Sequence, residues 1–129
     1  MIGLPRGVGV FIYPEPCDMR RSFNTLSVVV EQSMKRRLLD GDLFLFVAKN
    51  RKRAKVLYFD GTGLCLFAKR LEAGHSFPAP WKMARKQLSL SELALFIEGA
   101  DAVRHKLSPA VIRKADLTLQ ETETESLYA

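Results

Sequence analysis

The sequence contains few of the residues from which metal sites and redox sites are usually built. Its 129 residues include only two cysteines and two histidines. Cys17 and Cys65 form no C-x-x-C pair, and His75 and His105 lie too far apart for ligand spacing. We therefore predict no bound metal and no cofactor, and we expect both thiols to be free.

Catalytic motifs are also missing. The sequence has no P-loop, no G-x-S-x-G, and no acidic residue followed two positions later by lysine, as in the signature of many metal-dependent nucleases. A nuclease would need several of its acids to meet in space and hold divalent ions. We predict a protein without enzymatic activity. The acids that such a site would have to use are Asp18, Asp40, Asp42, Asp60 and Glu72.

Long hydrophobic runs are absent as well. No apolar stretch approaches the ~20 residues that a membrane-spanning helix needs. The first residues, MIGLPRGVGVFIYPEP, lack the basic region and long apolar region of a signal peptide. These absences predict a cytoplasmic protein with no membrane partner, and nothing in the sequence indicates a small-molecule substrate.

Positive charge is abundant and unevenly distributed. The chain carries a net charge of +6. Residues 1–86 hold 16 basic and 7 acidic side chains, whereas residues 87–129 hold 4 and 7. This asymmetry favours a polyanionic partner, most simply nucleic acid. The alternative is a basic surface that serves only solubility.

The segment from Leu43 to Glu72 predicts three strands joined by two turns. The apolar runs 43–48, 56–59 and 64–68 are short, rich in Val, Leu, Phe or Tyr, and bounded by charged or turn residues. The sequence Asp60-Gly61-Thr62-Gly63 is typical of a tight hairpin connection. Because the strands are apolar on both faces, we expect both faces of the sheet to be covered. A long helix would cover one face, and C-terminal helices or a second subunit would cover the other.

The first turn of this meander is the best candidate site. We name residues 49–55 the basic segment; its cations on a flexible loop would neutralise phosphates, and Asn50 would reach a base edge. The alternative is a solvated hairpin end. In an antiparallel meander the third strand ends beside the start of the first turn, so Lys69 and Arg70 would extend the same patch, unless they pair with Glu72 or Asp42. The candidate DNA-binding residues here are Lys49, Arg51, Lys52, Arg53, Lys55, Lys69 and Arg70.

The rest of the chain predicts an α+β domain with a mainly antiparallel sheet of about four strands. Residues 8–13 predict a first strand, and Asp18 is a suitable N-cap for a long helix with an apolar stripe that runs to Leu38. Phe77 and Trp81 are expected to anchor an irregular stretch. Ser89 and Glu92 fit a capping box for a second helix that ends at Gly99. Residues 1–115 would form one domain, with a third short helix after Pro109, and residues 116–129 a disordered acidic tail.

Arg20 and Arg21 complete the candidate DNA-binding set. Cations in the first turn of a helix are unfavourable for the helix dipole. Their position therefore indicates either an external anion or a carboxylate partner such as Asp60. A structural role for Asp18-Met19-Arg20 is the favoured reading.

Several blocks of the sequence resemble one family. They are LPRGVGVFIYPEPCDMRRSF, LFLF, KVLYFDGTGLCLFAKRLEAG and LSLSELALFIEGAD, which together span roughly residues 2–101. In order and spacing they resemble the second-frame accessory protein, the TnpB-type protein, of the insertion-sequence sixty-six group of bacterial transposable elements. The chain departs from that pattern at Ser22, where glycine is usual, and after Asp101, where a basic, Trp-containing end is usual.

The resemblance implies a protein encoded beside a transposase and needed for efficient transposition. It supplies no catalytic residues. Together with the charge pattern, it predicts an accessory protein that binds DNA at the element ends and acts with the transposase. The alternative is a protein–protein adaptor in the transposition complex, for which the apolar sheet, Trp81 and the acidic tail would serve assembly with the transposase or another accessory chain. A homo-oligomer is left open as well.

Overall fold

The computed structural model describes residues 8–99, which fold around one five-stranded mixed sheet. Strand β1 is parallel to β2, whereas every other neighbouring pair in the order β4-β3-β2-β1-β5 is antiparallel. The predicted α+β class is confirmed, but the sheet has five strands of mixed direction rather than about four mainly antiparallel ones. The predicted third helix and acidic tail lie outside the described residues. The strands are β1 (Val10–Ile12), β2 (Leu43–Val47), β3 (Arg53–Phe59), β4 (Leu64–Arg70) and β5 (Gln87–Leu88).

The meander of β2, β3 and β4 forms as predicted. Phe44 lies opposite Leu57 across β2 and β3, and Phe59 lies opposite Leu64 across β3 and β4. The carboxylate of Asp60 closes the second turn, because its Oδ1 accepts hydrogen bonds from the backbone N–H groups of residues 62 and 63, both at 3.0 Å. The same contacts hold the pKa of Asp60 below its usual value.

The predicted long helix is wrong in both its start and its length. Helix α1 spans Phe23–Val28 and continues only as a π-helical turn, Val29–Ser33. Asp18 does not cap it: Ser22 precedes the helix, and the Ser22 N–H donates to the Thr25 hydroxyl at 2.9 Å. The helix stops because Lys35 takes a left-handed conformation (φ 59°). A run of three β-branched residues, 28–30, also has low helix propensity.

The two faces of the sheet are covered by different parts of the chain. On one face, which we call the α1 face, Phe44, Phe46 and Leu57 pack with Leu26 and Val30 of the helical segment, and Leu38 joins them from a separate 3₁₀ turn, Leu38–Asp40. On the opposite face, the α2 face, Leu45, Val47 and Val56 pack against Phe77, Leu93 and Phe96. The expectation that both faces are covered is therefore confirmed, within this chain alone.

Helix α2 (Leu90–Ile97) covers the second face and begins at the predicted capping box. The Ser89 hydroxyl accepts from the Glu92 N–H at 3.1 Å, and Glu92 accepts in return from the Ser89 N–H at 2.8 Å. Gly99 ends the helix in a left-handed conformation (φ 83°), as predicted. Phe77 is fully buried as an anchor, whereas Trp81 is only half-buried. The stretch predicted to be irregular also contributes β5, the edge strand beside β1.

Candidate nucleic-acid interface

The basic segment begins in a turn whose backbone is held by hydrogen bonds. Arg51 adopts a left-handed conformation (φ 61°), and its N–H donates to the Ala48 carbonyl at 2.9 Å. The Asn50 side-chain oxygen accepts from the Lys52 N–H at 2.9 Å. The carbonyls of residues 51 and 52 accept from the N–H groups of Phe77 at 2.8 Å and Leu71 at 2.7 Å. Four hydrogen bonds therefore hold the backbone of this turn. Its expected flexibility stays a prediction.

Two of the predicted DNA-binding lysines are bound to the protein's own backbone. Lys55 Nζ donates to the carbonyls of Met19 at 2.9 Å and Arg21 at 2.8 Å. Lys52 Nζ donates to the His75 carbonyl and to the Ser76 hydroxyl. Both lysines are half-buried. Most of their hydrogen-bonding capacity is therefore already used.

Three cations of the basic segment project into solvent. Within residues 8–99, the exposed side chains of Lys49, Arg51 and Arg53 make no hydrogen bond or ion pair with the protein. Their charges are therefore the ones available to an external anion.

Strand pairing brings Lys69 and Arg70 beside the basic segment but separates them from each other. Arg70 lies directly opposite Arg53, and Lys69 lies opposite Ala54. Because neighbouring residues of a strand point to opposite faces, Arg70 shares the α1 face with Arg53 and Lys55, whereas Lys69 lies on the α2 face. Arg70 Nε lies 3.4 Å from a Glu72 carboxylate oxygen, in a pair of exposed side chains that is weak in water.

An open cleft of about 380 Å³ is lined by cations from two distant parts of the chain. Lys49, Asn50 and Arg53 line one side of it, and Asp18, Met19 and Arg20 line the other. Lys55 joins these two sides, since it holds the backbone of residues 19 and 21 against β3. Three cations therefore face one carboxylate in a single surface depression, an arrangement suited to an anion such as a phosphate.

Arg20 has a partner that sequence reasoning did not identify. Its guanidinium Nη2 lies 2.7 Å from Asp18 Oδ2, and its Nε lies 3.0 Å from Asp18 Oδ1. These hydrogen bonds lower the pKa of Asp18 to about 2. The proposed Asp60 partner is wrong, because Arg20 pairs with Asp18 instead. The Arg20 side chain nevertheless stays 91% exposed, so its outer face remains accessible. Arg21 is also exposed, and its carbonyl anchors Lys55.

Four of the five acids considered for a nuclease site are engaged separately. Asp18 binds Arg20, Asp60 closes its turn, Glu72 lies by Arg70, and Asp42 Oδ1 accepts from the Gly9 N–H at 3.0 Å. Across residues 8–99, no three His, Cys, Asp or Glu side chains are grouped closely enough to hold a metal ion. In the same part of the chain, neither helix has the length and apolar character needed to cross a bilayer.

Comparison with known proteins identifies the family. The family model described as "IS66 Orf2 like protein" matches residues 8–107. The chain belongs to the IS66 Orf2-like family. It is similar to two uncharacterized proteins of Sinorhizobium fredii. One, y4jC, is 35% identical over 109 residues, which cover 84% of this chain and 93% of y4jC. The other, y4hO, is 35% identical over 100 residues, which cover 76% of this chain and 87% of y4hO. No solved structure matches.

Membership of the IS66 Orf2-like family confirms the resemblance and associates the chain with the transposition of IS66-type insertion sequences. The matched range includes the whole basic segment and both sides of the cleft. Sequence reasoning found the cations of the cleft but not Asp18 and Met19 as lining residues. The signal for them was the Asp-Met-Arg string, for which a structural role at a helix start was the favoured interpretation.

Proposed function

We propose that this IS66 Orf2-like protein is a non-enzymatic accessory protein of transposition that binds DNA at the element ends and acts with the transposase. It would act in the cytoplasm, where bacterial DNA lies. The observation that carries the proposal is the convergence of Lys49, Arg53 and Arg20 on one open cleft, with Arg70 directly opposite Arg53. Guanidinium groups bind phosphate oxygens through paired hydrogen bonds, and they release counterions as they do so.

The charges of the site divide into two roles. Lys49, Arg53 and Arg20 have exposed side chains and would contact phosphates directly. Lys52 and Lys55 are bound to backbone carbonyls and would contribute mainly through the electrostatic field. Lys69 faces away from the cleft and would contribute least. Phosphate contacts of this kind position a protein on DNA without reading its sequence.

The test is a binding titration of the purified chain on an element-end duplex and on a random duplex, at several salt concentrations. We expect the logarithm of the affinity to fall steeply and linearly with the logarithm of salt, by about 0.9 per phosphate contact. Arg53→Gln should weaken binding and reduce that slope by about 1.

Arg37→Gln is the matched control, because Arg37 is exposed and does not line the cleft. It should leave the slope unchanged. Affinity that is independent of salt, or equal losses for the Arg53 and Arg37 variants, would contradict the proposal.

A protein–protein adaptor is the second candidate. The observation in its favour is the exposure of three large apolar side chains along residues 23–39: Phe23 at 43%, Val28 at 52% and Leu39 at 64%. Such residues are typical of contact surfaces when they are grouped. Two results would favour this function over DNA binding. The chain would capture the transposase even after nuclease treatment, and the chain alone would not shift DNA in a gel.

A further inference from the structure

Strand β4 forms one border of the sheet, and within residues 8–99 nothing pairs with its outer side. It is seven residues long, and its first five residues, LCLFA, carry no charge. Phe67 is 36% exposed, and Ala68 is exposed beside it. A long apolar edge strand is a template for pairing with another strand, and natural proteins usually interrupt such edges with charge, proline or a bulge. The charged residues of β4 are only its last two, Lys69 and Arg70.

The hydrogen bonds to β3 determine which backbone groups of β4 face outward. The Asp60 N–H donates to the Gly63 carbonyl, and the Leu71 N–H donates to the Lys52 carbonyl. In an antiparallel pair, mutually bonded residues recur at every second position. Residues 65, 67 and 69 therefore bond inward to β3. The outward N–H and C=O groups belong to Leu64, Leu66, Ala68 and Arg70.

We propose that a second copy of this chain pairs its β4 with this edge, antiparallel and about a two-fold axis at Phe67. In this register Leu64 lies opposite Arg70 of the other copy, and Leu66 lies opposite Ala68. The backbone groups of all four outward residues of each strand then form hydrogen bonds with the other copy. The two Phe67 side chains meet at a non-hydrogen-bonded position, where opposed side chains approach most closely. Registers centred on residue 66 or 68 leave one end of each β4 strand outside these pairs.

Charge complementarity favours this arrangement. Lys69 of the second copy falls opposite Cys65, whose thiol lies 3.5 Å from the Asp60 carboxylate oxygen Oδ2. Each Lys69 ammonium therefore meets an acid of the other chain. A parallel, in-register pairing would instead place the cations at residues 69 and 70 beside their own copies, which is destabilising.

The two-fold axis would run perpendicular to the sheet, so both α1 faces would point to the same side. The two Arg70 residues would be offset by six residues along the strands, about 20 Å. The dimer would therefore present two phosphate-binding surfaces to one duplex. This consequence rests on the proposed function. The pairing itself does not depend on DNA.

The experiment measures the mass of the full chain in solution, without DNA, over a series of concentrations. We expect a dimer for the wild type and monomers for Phe67→Lys and for Phe67→Glu, because each variant places like charges face to face on the axis. An equimolar mixture of the two variants should restore a dimer, since lysine then meets glutamate. Leu95→Lys, which adds a charge at an exposed apolar site of α2, is the control and should remain dimeric.

Amide hydrogen exchange gives a readout that needs no variant. The N–H groups of Leu66 and Ala68 should be protected only at concentrations where the chain is dimeric, whereas those of Cys65 and Phe67 should be protected at all concentrations. A monomeric wild type, a Phe67→Lys variant that stays dimeric, or a mixture that fails to dimerise would overturn the proposal. Concentration-independent protection of Leu66 and Ala68 would also overturn it, and would indicate that residues 100–129 of the same chain cover the edge.

Discussion

Lys55 allows a structural cation to be distinguished from one that is proposed to bind DNA. Its Nζ donates to two carbonyls, of Met19 at 2.9 Å and Arg21 at 2.8 Å, and thereby fastens the segment before α1 to strand β3. Replacing it in Lys55→Met keeps the length of the side chain and removes both hydrogen bonds. Hydrogen bonds to charged groups contribute about 1.5–3 kcal/mol each. The Arg21 contact is exposed, so only one such contribution is counted in full. We therefore expect Lys55→Met to lower the free energy of unfolding by about 2 kcal/mol.

Urea denaturation measures this loss, and Lys49→Met provides the comparison. Lys49 carries the same charge six residues earlier, but it is exposed and forms no side-chain hydrogen bond within the described residues. Its substitution should change stability by less than about 0.5 kcal/mol. The denaturant dependence should be the same for both variants and the wild type, because the exposed surface on unfolding does not change. Equal stabilities for Lys55→Met and Lys49→Met would refute the inference that Lys55 is part of the fold.

Three further predictions concern the ends of α2. Ser89→Ala should cost about 1 kcal/mol of stability in urea denaturation, because it removes the acceptor for the Glu92 N–H. Hydrogen bonds from the Ser89 N–H and the Arg85 guanidinium lower the pKa of Glu92. This contribution to stability is therefore fully present above the unfolded-state pKa of about 4.3, and it is lost as the pH falls through the lower folded-state pKa. Glu92→Gln should thus reduce the loss of stability measured between about pH 6 and about pH 3, and an unchanged loss would contradict this assignment. At the other end, Gly99→Ala should destabilise by about 2 kcal/mol, because a new Cβ would strain the left-handed backbone and lie 3.0 Å from Leu71 Cδ1. Gly61→Ala shares the positive φ but meets no atom within 4 Å, so about 1 kcal/mol is expected there, and equal losses would contradict the crowding at Leu71.

The features that the sequence predicted well are those set by residues close together in the chain. The Asp60–Gly63 turn and the Ser89–Glu92 capping box each depend on side chains two or three positions apart. The start of α1 shows how a local signal can mislead. Asp18 is a good N-cap by type, but Arg20 binds its carboxylate and the helix begins after Ser22 instead. No local pattern distinguishes these two outcomes.

Long-range pairing was beyond the reach of sequence patterns. The position of β1 between β2 and the two-residue β5 depends on contacts across more than thirty residues. In the candidate site, one contact follows from hairpin geometry and another does not. Hairpin geometry accounts for the position of Arg70 opposite Arg53, whereas Lys69, expected in the same patch, lies on the other face. The sequence did not predict that Lys52 would bind the His75 carbonyl, because a backbone acceptor carries no signature in sequence.

The cleft depends on Lys55 even though Lys55 does not line it. The residues that Lys55 binds, 19 and 21, flank Arg20, and Arg20 faces Lys49 and Arg53 across the cleft. Lys55, which is hydrogen-bonded to backbone carbonyls, thus positions Arg20, which is exposed to solvent. Net charge alone counts these two side chains equally, yet only Arg20 has its outer surface free for a phosphate. In the proposed DNA complex, the basic character of residues 1–86 would therefore overstate the number of direct phosphate contacts, and the salt dependence expected for that complex follows the smaller, exposed set.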